Sequence, residues 1–368
     1  MRSSFLRLWL LRSALSLPTA VLRFLSGGGV VFRDGRTLDP QMQFLWRSWF
    51  APAESSRRMP LTLAGKSIDV VREEWRDMAA LLEAPAALKV RVETVGEPGT
   101  SVGVTPISGL LIRPSEVAAD APVLVFFPQG GGVLGGPELS RAFCSLFAAE
   151  ARCPIFIPTL RLAPEARFPA ALEDARIALE WSQANAFRLG AASGEVAVGG
   201  ILTGAGLAAR LCFDLKREFK PLPVAQLLIT PLVDLSDSAL SSNLYADQWP
   251  LSSGDLSALI AYYAGGGLDL ADPKLSPLNE ALIVGQPRTF VVSAGLDPLA
   301  AQAETFAQRL IKARTRTLYR RYDTLPLGFD LFAGVVDEAR EATLDIARNW
   351  AQWLKKDAAP DAEARNAA

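Results

Sequence analysis

Val196-Ala197-Val198-Gly199-Gly200-Ile201-Leu202-Thr203-Gly204 is the stretch on which the reading of this chain turns. An apolar run of strand length ends in glycines, and a helical pattern follows over about 203–218. Gly200 and Gly204 stand two residues before and two after Leu202. That spacing suits a chain that reverses sharply between a strand and a helix, where larger flanking side chains would collide. The apex residue is Leu202, whose side chain offers neither a lone pair nor an exchangeable proton.

Working outward, similar apolar runs recur at Gly109–Ile112, Val123–Phe127, Ile155–Ile157, Ala225–Ile229, Thr289–Val292 and Thr317–Tyr319. Helical stretches lie between most of the later ones, near 138–151, 170–186, 299–313 and 334–356. Alternation of buried strands and helices predicts an α/β fold with a mostly parallel sheet covered on both faces. Residues 91–358 are read as this core, with 240–265 as a candidate addition to a lid. The Ala-, Asp- and Glu-rich end, 359–368, is read as a disordered tail.

Residues 1–90 are read as N-terminal helices and a helical lid. Asp39 suits a cap and Pro40 the first turn of a helix whose apolar face is Met42, Leu45, Trp46 and Trp49. A further helix is expected over 68–83. Residues 1–26 carry four arginines, no acidic residue and many apolar side chains, yet no uninterrupted apolar stretch of spanning length. Arg2, Arg7 and Arg12 point in different directions on a helix. The plain reading is a helix packed on the domain; the second is peripheral contact with a membrane.

The composition limits function. Among 368 residues there is no histidine, and the formal charge is −1. The charge balance gathers no nucleic acid. Cys144, Cys153 and Cys212 are widely spaced in apolar stretches. They read as buried thiols of a cytoplasmic protein, not as a disulfide frame or zinc site. No metal and no cofactor are expected. Histidine is the usual proton shuttle near neutral pH, so its absence removes serine–histidine–aspartate chemistry.

Two other turns follow strands. Phe127-Pro128-Gln129-Gly130-Gly131-Gly132 lets backbone amides approach a ligand. Arg161-Leu162-Ala163-Pro164-Glu165, before Phe168-Pro169-Ala170, is punctuation, with an Arg161–Glu165 ion pair expected across it. Together with Gly200–Gly204, Ser293-Ala294-Gly295-Leu296-Asp297-Pro298-Leu299 and Leu327-Gly328-Phe329, these turns resemble, in order, five motifs of the hormone-sensitive-lipase family of α/β-hydrolase esterases.

The resemblance implies an α/β-hydrolase fold with an eight-stranded, mainly parallel sheet, and an ester-hydrolysing ancestry. Residue by residue, Pro128 stands where the family has the histidine of its glycine loop, and Gln129 where it has the first glycine. Gly130 and Gly131 are kept. Ile201 takes the place of an acidic residue and Leu202 that of the serine nucleophile. Asp297 matches the triad acid and Leu327 the triad histidine. No catalytic set is intact, and Leu202 and Leu327 are expected to pack together. Asp297 then reads as a turn or cap residue before the next helix.

The expected function is a catalytically deficient homologue of a carboxylic-ester hydrolase. It would bind a small lipophilic ligand or acyl chain in a pocket lined by Gln129, Gly130, Gly131 and Thr203. The alternative is residual or altered chemistry using Thr203 or Asp297, although the Thr203 hydroxyl has no evident base. A third expectation is pairing as a homodimer or with an active homologue.

Overall fold

The structure is a computed structural model that describes residues 2–50, 66–82, 89–96, 107–236 and 251–355. The 359–368 tail and the first part of 240–265 lie outside the described residues.

The chain opens with helices α1 (Arg2–Leu15) and α2 (Thr19–Leu25), a two-residue hairpin of β1 (Phe32–Arg33) and β2 (Arg36–Thr37), and α3 (Pro40–Phe44). The Asp39 carboxylate accepts from the Met42 N–H at 2.9 Å and caps α3, while Pro40 occupies the first turn. A π-helical turn, Leu45–Trp49, follows. Then come α4 (Ile68–Leu81), β3 (Val90–Val95), β4 (Gly109–Pro114), β5 (Val123–Phe127), α5 (Arg141–Ala151), β6 (Ile155–Pro158), α6 (Ala170–Ala184) and α7 (Ala186–Leu189). The second half holds β7 (Val196–Ile201), α8 (Thr203–Arg217), β8 (Ala225–Ile229), α9 (Ser253–Ala264), β9 (Arg288–Leu296), α10 (Ala300–Lys312), β10 (Thr317–Pro326) and α11 (Asp337–Lys355).

The main sheet has eight strands in the order β10-β9-β8-β7-β5-β6-β4-β3. Five of its pairings are parallel; β3–β4 and β4–β6 are antiparallel. Strands β5, β6, β7 and β8 are buried along their whole length, as expected of strands covered on both faces. Aromatic side chains fill the layer beneath: Phe126 stacks on Phe143, which meets Phe147, which meets Trp350 of α11.

The eighth strand, β3, lacks the apolar run that marks the other seven. Its sequence, Val90-Arg91-Val92-Glu93-Thr94-Val95, alternates because it is a half-exposed edge strand. The Arg161–Glu165 pair does not form. Arg161 instead holds Asp174 (2.9 Å) and Glu173 (2.9 Å), and Glu165 is taken by Arg72 of α4 at 2.8 Å. The local pairing fails because α4 lies against the crossover, bringing Arg72 to Glu165. The same guanidinium also donates to the Val133 carbonyl (2.8 Å) and the Ala163 carbonyl (2.7 Å). One side chain thus ties α4 to both the glycine loop and the crossover.

Candidate functional site

Strand β7 ends at Ile201 and α8 begins at Thr203, leaving Leu202 alone to make the turn, with φ 55° and ψ −116°. This positive-φ conformation costs a bulky residue of order 1–3 kcal/mol. The flanking glycines explain how the turn fits. A Cβ on Gly200 would lie 2.4 Å from the Gly204 carbonyl carbon, and one on Gly204 would lie 2.2 Å from the Phe127 oxygen. The sharp turn predicted from the glycine spacing is therefore built, with leucine at its apex.

Sheet register brings the remaining motifs beside it. Phe127 pairs with Gly200, so the loop carrying Pro128, Gln129, Gly130 and Gly131 leaves the sheet next to the turn. Leu296 pairs with Pro326, so Asp297 and Leu327 emerge side by side from the carboxyl ends of β9 and β10. Such ends are where ligands bind on open α/β sheets.

Leu202 and Leu327 are each only 2% exposed and line the same space with Trp75, Gln129 and Thr230. That space has no volume left for a water. Full burial of a leucine stabilises by about 1.5–3 kcal/mol, enough to offset the turn strain. A second space lies between Leu202, Thr203 and Gly131 on one side and Leu256, Leu259 and Tyr263 of α9 on the other. Its volume is about 10 Å³, room for about one water. Neither of these two spaces is acyl-sized, and α9 closes over the glycine loop. A Cβ on Gly131 would meet Leu259 at 3.2 Å.

The polar groups at this place are few. The backbone N–H groups of Gly130, Gly131 and Thr203 donate to no acceptor among the described residues, and the buried Thr203 hydroxyl has no partner. Asp297 is buried; one carboxylate oxygen accepts from the Leu299 N–H at 2.7 Å and the other has no partner. Burial raises its pKa to about 7 against the pull of the hydrogen bond from the Leu299 N–H.

Sequence reasoning missed Asp330. It sits in the 3₁₀ turn Phe329–Phe332 just after Leu327, fully enclosed. The Gln129 side-chain amide donates to it at 2.6 Å, and its other oxygen has no partner. Burial raises this carboxyl too, to about 7, opposed by its own backbone amide and by Gln129. An acidic residue inside Phe329-Asp330-Leu331-Phe332 was the available signal. Thr230 was missed as well: it has φ 40° and a buried hydroxyl without a partner beside Leu202.

The three cysteines are free and buried, with thiols raised by burial, Cys153 to about 12. A thiol held neutral is a poor nucleophile. Among the described residues no group of three or more Cys, Asp and Glu side chains is placed to hold a metal ion.

Residues 124–331 match the family model described as the alpha/beta hydrolase fold. The carboxylic ester hydrolase LipN of Mycobacterium tuberculosis is 33% identical over 322 residues, covering 85% of this chain and 82% of its own. The carboxylesterase NlhH of the same species is 30% identical over 291 residues, covering 77% and 89%. Among solved structures, a hyperthermophilic esterase from Pyrobaculum calidifontis superposes with a TM-score of 0.70 at 29% identity, covering 78% of this chain and 94% of its own. The chain therefore belongs to the hormone-sensitive-lipase-like family of α/β hydrolases, whose relatives here are named as ester hydrolases.

Proposed function

We propose that this family member is catalytically deficient for ester hydrolysis and acts by binding. The carrying observation is that Leu202 stands at the apex of the glycine-flanked turn and Leu327 at the neighbouring strand end, packed into one space without room for water. A leucine at the apex cannot attack a carbonyl, and a leucine at the second position cannot accept the proton. No histidine exists elsewhere in the chain to substitute.

Binding retains a physical basis. The unpaired N–H groups of Gly130, Gly131 and Thr203 suit a carbonyl or carboxylate oxygen. The apolar wall of Leu256, Leu259 and Tyr263 suits an acyl chain. Entry of an acyl chain into this space, now about 10 Å³, requires α9 to move. Gln129 does not compete for such a ligand through its amide nitrogen, which is committed to Asp330.

A second reading, an ester hydrolase of residual or altered activity, draws on the relatives, which are named as esterases and carboxylesterases. Two observations favour it: a buried Thr203 hydroxyl without a partner, and Asp297 and Asp330 carboxyls raised to about 7, near the proton affinity that general acid–base work needs.

Back-substitution tests the first reading. Pro128→His, Gln129→Gly, Leu202→Ser and Leu327→His together should give hydrolysis of a short-chain aryl ester that requires both Ser and His. A folded quadruple variant without turnover would contradict the assignment of these positions.

A further inference from the structure

Half of the large apolar side chains that stand exposed among the described residues lie between Leu6 and Phe32. Helix α1 explains this by being apolar on two opposed sides. At about 100° per residue, Leu11 and Leu15 share one side, while Leu6, Trp9 and Leu10 fall on the opposite arc. Leu11 and Leu15 are buried and anchor the helix, which packs on α4; Trp9 is 58% exposed. Helix α2 repeats the division: Leu22 is buried and Phe24 is 77% exposed. Beyond it, Cβ atoms on Gly27, Gly28 and Gly29 would meet nothing within 4 Å, and Phe32 is 64% exposed.

The charge of this segment is one-sided. Residues 1–33 hold Arg2, Arg7, Arg12, Arg23 and Arg33 and no acidic residue, in a chain whose total is −1. We propose that α1, α2 and the loop to Phe32 dock on an anionic phospholipid surface, with Trp9, Phe24 and Phe32 entering the headgroup region and the net positive charge of residues 1–33 drawing the segment to anionic headgroups. The segment lies on the bilayer and does not cross it. A 14-residue helix is about 21 Å long, short of the hydrocarbon core, and the chain turns by 115° between α1 and α2. A second copy is the poorer occupant, because a two-fold interface would set each arginine-rich segment against its own like.

Co-sedimentation of the full chain with vesicles tests this, using phosphatidylcholine alone and phosphatidylcholine with about a third phosphatidylserine. The chain should partition onto the anionic vesicles, and added salt should release it. Trp9→Ser with Phe24→Ser, and separately Arg7→Gln with Arg23→Gln, should each lower the partition coefficient about tenfold or more. The thermal midpoint should hold, since Trp9 and Phe24 face outward. Absence of partitioning, equal partitioning onto both vesicle types, or partitioning that survives both double variants would overturn the proposal. So would a dimer in solution that Phe24→Ser dissolves, since the face would then be a protein interface.

Discussion

The Gln129 side-chain amide donates to the Asp330 carboxylate at 2.6 Å, joining the loop after β5 to the turn after β10 across the space that Leu202 and Leu327 fill. Neither partner reaches solvent. The link ties these two loops to each other, while its own carboxylate is a buried acid with one unpaired oxygen.

That burial makes stability depend on pH. Asp330 rises from the ordinary carboxylate range, about 4, to about 7, so the folded state binds its proton more tightly than the unfolded chain does. Its contribution is most favourable below about pH 4 and is lost as pH rises through about 7; Asp297 acts in the same sense. Asp330→Asn keeps an acceptor for Gln129 and removes the charge. The loss of unfolding free energy between pH 5 and pH 8 should shrink by roughly 1–3 kcal/mol in this variant, measured by urea denaturation at the two pH values. An unchanged difference would refute the assignment.

The turn at Leu202 stores backbone strain that can be separated from its packing. Leu202→Ala and Leu202→Gly both delete the buried side chain, but only glycine relaxes at φ 55°. The glycine variant should be the more stable of the two by about 1 kcal/mol, the reverse of their order in an ordinary helix. Guanidinium denaturation of the pair decides it, and alanine above glycine would mean that the turn is not strained.

Arg72 should hold α4 in place. Its guanidinium bonds Glu165, Val133 and Ala163 at once, and only 15% of its side chain is exposed. Arg72→Ala should speed amide hydrogen exchange across Ile68–Leu81 about tenfold or more, leaving the central strands protected. Exchange in α4 that matches the parent chain would show that its apolar face, including Trp75, suffices.

Much of this architecture could be read from residue order. The glycines around Leu202 dictate a close approach that backbone atoms confirm, and the seven apolar runs became strands, four of them buried along their whole length as burial on both faces demands. Strand β3 escaped notice because an edge needs only one apolar face. At the candidate site, motif matching singled out Asp297 and Leu327, and the β9–β10 register that sets them side by side comes from the structure. Asp330 and Thr230 were not legible, since a polar residue in an apolar run discloses neither its burial nor its partner. Arg72 was hidden for a related reason: Glu165, its partner, is 93 residues away along the chain.

Steady-state hydrolysis of a short-chain aryl ester by the purified chain decides whether Leu202 and Leu327 leave the site inert. No turnover above that of buffer is expected, with Thr203→Val and Asp297→Asn indistinguishable from the parent. Saturable turnover that co-purifies with the chain and disappears in either variant would contradict it and establish a working, non-standard esterase site.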